Sequence, residues 1–274
     1  ALVEPRPPAA GATGEGALPR FDAADLLAAI VPGTDLVVVS EVMFETGERL
    51  VSLPDVVAHA HARGAKVLVD VYHSLGAIPV DVAASGVDFA VGGSYKYLRG
   101  GPGACFLYVA PRWLDAGLRT LDVGWFAKEH RFAYRRPEPP AFAAGGDAWL
   151  ESTPAVLAPF QARAGQRFAL ALGVGSLRED SLAKQAALVR RLAELGVPAV
   201  GGTPSRGAFV VVPFLGQPEG FAGRVADRLS ARGVVADARG AFLRLCPDLL
   251  TGADELARAA SELASAVPAE RGGT

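Results

Sequence analysis

The sequence predicts an α/β fold: a mostly parallel sheet followed by a smaller C-terminal α+β unit. Three observations carry this expectation. Residues 35–70 read strand, helix, strand, the order of a parallel-pairing βαβ unit. The strands are short, Val-rich apolar runs, the pattern of strands covered on both faces. Beyond residues 173–175 the pattern changes to short alternating strands interleaved with helices.

Taken in order, residues 1–20 are rich in Pro, Gly and Ala and read as a loop or linker. The chain does not begin with Met, which suggests a fragment of a longer protein. Residues 21–30 (FDAADLLAAI) form a short helix capped by Asp22, with Leu26, Leu27 and Ile30 on one face. Residues 35–40 (DLVVVS) are a buried strand. Residues 54–63 are a helix with Pro54 in its first turn and Gly64 just past its end. Residues 66–70 (KVLVD), 87–91 and 105–109 are further strands. Residues 154–172 and 181–195 are long helices. The remaining elements are a strand at 208–212, a helix at 220–232, a strand at 242–245 and a helix at 253–266. The expected division is residues 1–20 as linker, 21–173 as part of a large domain and 174–274 as a small domain. No internal repeat is evident.

Composition excludes several classes. Of 274 residues, 50% are hydrophobic and 20% charged, which supports a buried core and argues against disorder. The net charge of -2, without a basic stripe, argues against nucleic acid. No apolar run reaches a membrane span, and residues 1–20 lack a signal-peptide pattern. The two cysteines, Cys105 and Cys246, form no CxxC pair, which fits the cytoplasm. His59 and His61 lie two apart on one helix, face different sides and read as surface residues. No metal-ligand spacing or GxSxG elbow is present. The RGGPG segment (99–103) precedes a strand rather than a helix, so it is neither a dinucleotide fingerprint nor a P-loop.

Open α/β sheets bind ligands beyond the carboxyl ends of their strands. Three polar sites fall there: Ser40, Asp70 with His73, and Ser94–Tyr95–Lys96. Asp70 reads either as a loop carboxylate or as the acceptor for a buried cation such as a pyridinium nitrogen. Lys96, one of four lysines in an Arg-preferring chain, reads either as a solvated loop lysine or as an imine-forming amine in a partly desolvated pocket. Arg244, in the alternating run FLRLCP, is either an exposed-face arginine or a bidentate clamp for a substrate carboxylate.

The segments DVYHSLGAIPVD (70–81), VDFAVGGSYKYLRGGPGACFLYV (87–109) and VGW (123–125) resemble the class V aminotransferase family of fold-type I enzymes dependent on pyridoxal 5′-phosphate (PLP), closest to the kynureninase-like branch. The resemblance runs from about residue 35 to the end of the small domain. It implies a partial PLP-dependent transferase-like large domain and a shared-site homodimer acting on an amino acid. It also implies that Lys96 holds PLP as a Schiff base and that Asp70 pairs with the pyridine nitrogen. His73 would lie beside the cofactor or the substrate carboxylate. Tyr95, Ser40 and Thr153 would serve the phosphate, as would Trp125 across the dimer interface, and Arg244 would grip the substrate α-carboxylate. Thr153 departs from the branch, where kynureninases usually carry Asn. The family's upstream part of the large domain, which supplies a ring-stacking aromatic and a phosphate-binding turn, is absent from this sequence.

Several reactions remain compatible with these residues: hydrolytic carbon–carbon cleavage, transamination, and β-elimination or desulfuration. A desulfurase needs a mobile cysteine, and Cys105 in an apolar strand and Cys246 beside Arg244 do not fit that role. A degenerate, non-catalytic PLP-fold module is the other class.

Overall fold

The computed structural model describes residues 1–9 and 11–271. Strands β1 (Leu36–Ser40), β2 (Lys66–Asp70), β3 (Phe89–Gly93) and β4 (Cys105–Val109) form one sheet in the order β1-β2-β3-β4. The first three are parallel and β4 is antiparallel to β3. Helices α1 (Ala23–Ala29) and α2 (Leu53–His61) cover one face. There Leu26, Val56, Val57 and Ala60 pack with Val67, Val69 and Ala90. Burying each of these larger aliphatic side chains contributes roughly 1.5–3 kcal/mol. The expected α/β class and parallel pairing are found.

Local chemistry explains the element ends. Asp22 Oδ1 accepts from Ala24 N at 2.8 Å and caps α1, as its side chain and position predict. Pro54 sits in the first turn of α2. The β3 strand begins two residues later than expected, and Asp88, just before it, is fully buried with its backbone N–H on the Val67 carbonyl at 3.0 Å. Its carboxylate accepts from Val67 N at 2.6 Å, Trp113 Nε1 at 2.6 Å and Arg112 Nη2 at 2.5 Å, and meets His61 Nε2 at 2.9 Å. The short helix α3 (Pro111–Asp115), absent from the sequence expectations, supplies two of these partners.

Helices α4 (Leu157–Leu172) and α5 (Val174–Glu194) meet at Gly173. Strands β5 (Val210–Pro213), β6 (Asp237–Arg239) and β7 (Phe242–Leu245) form an antiparallel sheet in the order β5-β7-β6. Helices α6 (Phe221–Ala231) and α7 (Ala253–Arg271) pack on it with α5, burying Leu188, Leu192, Val225, Leu229, Leu243 and Leu263. The α7 helix outruns its expected end and carries Pro268 inside it. Buried Val267 and the ion pairs of Glu270 with Arg224 and Arg228 hold that last part. Among the described residues no helix is long and apolar enough to cross a membrane.

Candidate active site

The carboxyl ends of β1, β2 and β3 converge. Ser40 is the register partner of Asp70, and Asp70 is the partner of Val91. Ser40 is half-buried at the end of an edge strand, where it also borders a cavity of about 310 Å³. Past β3 the chain turns through Ser94, Tyr95 and Lys96. Ser94 is fully buried, with its N–H on the Ala104 carbonyl at 2.9 Å and its Oγ accepting from Gln166 Nε2 at 3.0 Å. This turn is wedged against α4. A Cβ on Gly100 would lie 2.6 Å from Ser94 Cβ and 2.8 Å from Ala162 Cα, and one on Gly165 would lie 2.4 Å from the Leu98 carbonyl oxygen. The glycines of the Lys96 turn and of α4 thus allow backbone to approach backbone, which fixes where Lys96 emerges.

Lys96 is half-buried, and its neighbours are two aromatic faces. Its Nζ is 5.4 Å from the ring centroid of Tyr72 and 5.6 Å from that of Tyr95. Burial pushes its amine below the usual lysine range; Asp70 opposes the shift, and Arg244 and Arg239 reinforce it. Asp70 Oδ1 accepts from Tyr72 N at 2.8 Å. His73 is half-buried, with its ring edge-on to Tyr97 and Phe209 and its buried Nδ1 without a partner. Burial, aided by the charges of Lys96 and Arg244, lowers its pKa to about 4, so the imidazole is neutral at pH 7.

Arg244 has a largely buried side chain and belongs to this cluster. Its guanidinium lies 5.1 Å from the Phe209 ring centroid and donates to Asp237 Oδ2 and to the Phe44 carbonyl. The strand that supplies Asp237, β6, was not expected from the sequence.

Trp125 and Thr153 are exposed, and among the described residues no hydrogen bond or aromatic contact joins them to this cluster. Their segments meet each other instead, since a Cβ on Gly124 would overlap the Glu151 carbonyl. Trp125 Nε1 donates to the Arg131 carbonyl at 2.5 Å, and its ring packs on Phe126, Phe132 and Tyr134.

One expectation is corrected: His59, expected at the surface, is half-buried with an unpartnered Nε2. His61 is exposed as expected and holds the interior carboxylate of Asp88. Cys105 lies in β4 as expected and is exposed there. Tyr72 had no expected role, yet its hydroxyl donates to Cys105 Sγ at 2.9 Å and its ring lies 5.6 Å from that of Tyr95. Its position two residues past Asp70, at a strand end, was the available signal.

The donor set fits an aldehyde-bearing pyridine cofactor. A partly desolvated amine suits the aldehyde, a neighbouring carboxylate suits a ring nitrogen, and His73, with an unpartnered Nδ1, is near enough to feel the Lys96 charge.

The family model "Aminotransferase class-V" matches residues 16–228. A kynureninase of Deinococcus radiodurans is 38% identical over 161 residues, covering 58% of this chain and 38% of its own length. A kynureninase of Salinispora tropica is 34% identical over 248 residues, covering 86% and 55%. The chain thus spans about half the length, or less, of these curated relatives. An apo cysteine desulfurase from Thermococcus onnurineus NA1 superposes with a TM-score of 0.77 at 19% identity, over 91% of this chain and 64% of that one. A C-DES mutant with glycine covalently linked to its PLP cofactor gives 0.76 at 22%, over 89% and 64%. These structural likenesses establish the fold, and with the match of the family model over most of the sequence they lead to one conclusion: the chain belongs to the class-V aminotransferase family.

Proposed function

We propose that this chain is the lysine-bearing part of a PLP-dependent enzyme that cleaves a kynurenine-type amino acid hydrolytically, working in the cytoplasm as a homodimer with shared sites. The observation that carries the cofactor assignment is the half-buried Lys96 amine, with a depressed pKa, beside the strand-end carboxylate of Asp70. Identities of 33–38% to kynureninases favour the hydrolytic branch.

Bound PLP supplies an electron sink for charge developing at the substrate α-carbon. Lys96 would hold the cofactor through its amine, and its free Nζ would accept the proton from the substrate α-carbon, a role suited to its lowered pKa. Asp70 would keep the ring nitrogen protonated. The neutral His73 presents a hydrogen-bonding nitrogen without adding positive charge. Arg244 orients the substrate through its carboxylate, which requires that carboxylate to share or displace the contacts with Asp237 and Phe44. Ser40 and Tyr95 serve the phosphate from within the chain. Trp125 and Thr153, both exposed, are assigned to the partner's site.

A second reading, transamination or lyase chemistry on another amino acid, is favoured by Thr153 standing where kynureninases usually carry Asn. Spectral titration of the PLP-loaded protein with kynurenine, cysteine and alanine separates the two. Consumption of kynurenine supports hydrolysis, whereas turnover confined to cysteine or alanine moves the assignment to the second reading.

A further inference from the structure

Tyr72 is held more firmly than a half-exposed side chain requires. Its hydroxyl is tied to Cys105 Sγ at 2.9 Å, and its backbone N–H is tied to Asp70 Oδ1 at 2.8 Å. Its ring fills a notch that exists because residue 93 is glycine: a Cβ there would lie 2.6–2.8 Å from Tyr72 Cε1, Oη and Cζ. On its other side the ring leans on Tyr95, with centroids 5.6 Å apart and planes at 52°. These contacts come from β2, β3, β4 and the Lys96 turn, so four parts of the chain converge on one phenol.

That phenol is half-buried and stands outside the hydrophobic core. Lys96 Nζ is 5.4 Å from its ring centroid, and Asp70 is bonded to its backbone. Tyr72 thus adjoins the two groups that would engage a pyridine aldehyde: its ring borders the Lys96 amine, and its backbone N–H is bonded to the Asp70 carboxylate. We infer that Tyr72, locked by Cys105 and by the Gly93 notch, is the aromatic wall against which the pyridine ring of the cofactor packs, and that it sets the tightness and orientation of PLP on Lys96. This rests on the assignment of Lys96 as the PLP-bearing lysine. Packing of aromatic faces with offset or tilted geometry suits such a wall. The hydroxyl remains protonated throughout the working range, since the bond to Cys105, then burial, raise its pKa to about 12. The wall therefore adds no negative charge beside the Asp70 carboxylate.

The test is a PLP titration of the protein and of Tyr72→Ala, Tyr72→Phe and Cys105→Ala, followed by absorbance and by circular dichroism of the bound cofactor. Borohydride reduction and peptide mapping of each protein at saturating PLP accompany it. The expected result is a PLP affinity at least tenfold weaker in Tyr72→Ala, with an altered cofactor dichroism and the label still on Lys96. Tyr72→Phe and Cys105→Ala, which keep an aromatic ring but free it, should weaken binding about threefold and alter the dichroism in the same sense. Should Tyr72→Ala fail to fold, those two variants carry the test. The wall is overturned if the label is on Lys96 in every protein while affinities stay within twofold and the dichroism is unchanged. It is equally overturned if Tyr72→Ala binds PLP more tightly, which would make the ring a plug. No label on Lys96 in the unmodified protein refutes the cofactor assignment, and the wall with it.

Discussion

Ser40 and Asp70 are register partners at the carboxyl ends of adjacent parallel strands. Asp70 pairs in turn with Val91, two residues before the end of β3 and five before Lys96. Three neighbouring strand ends therefore deliver a hydroxyl, a carboxylate and an amine to one edge of the sheet.

Arg244 is the proposed substrate clamp. Arg244→Lys keeps the charge and loses the planar fork. The expected outcome is a substrate affinity weakened about tenfold or more, with PLP affinity within twofold of the unmodified protein. Unchanged substrate binding in a spectral titration would leave Arg244 as a structural partner of Asp237 alone.

His73 makes stability depend on pH in a defined window. The unfolded imidazole titrates near 6.5 and the folded one near 4. Between these values the unfolded chain binds more protons, so the contribution is present above pH 6.5 and is lost as pH falls towards 4. Urea midpoints measured across this window should decline with falling pH, and His73→Gln should flatten the decline.

Asp88 anchors the amino end of β3. Burial alone would raise its pKa, but bonds from His61, Val67 N, Trp113 and Arg112 outweigh burial and hold it at about 2. Its stabilising contribution is therefore present above pH 3.8 and disappears between 3.8 and 2. Asp88→Ala leaves several donors without their carboxylate and should cost about 3 kcal/mol in urea unfolding at pH 7. A loss near zero would mean that water replaces the carboxylate at no cost.

Gly165 tests how the Lys96 turn is positioned. Alanine would gain about 1 kcal/mol of helix propensity in α4. Against that, its Cβ would lie 2.4 Å from backbone atoms of Leu98 and Arg99. The overlap wins, since overpacking against backbone costs about 1–3 kcal/mol and here no flexible side chain can move aside. Gly165→Ala should lower both the unfolding midpoint and the PLP affinity.

Much of this was legible in the chain. The βαβ order, the Asp22 cap and the placement of Asp70 and Lys96 follow from apolar runs that end in polar residues. Asp88 was not, because a carboxylate beside an apolar run looks like a strand boundary until its partners from α2 and α3 are known. The Asp237 partner of Arg244 was hidden because β6 has three residues, too few to show a period. The bond between Tyr72 and Cys105 joins residues 33 positions apart, and neither local run encodes it. Trp125 and Thr153 were legible only by family motif, and both are exposed within this chain.

The most direct measurement is the site of cofactor attachment. The protein is incubated with PLP, reduced with borohydride, digested and mapped by mass spectrometry. The predicted result is a pyridoxyl label on Lys96. A label on Lys66, Lys128 or Lys184, or no label at all, would contradict it.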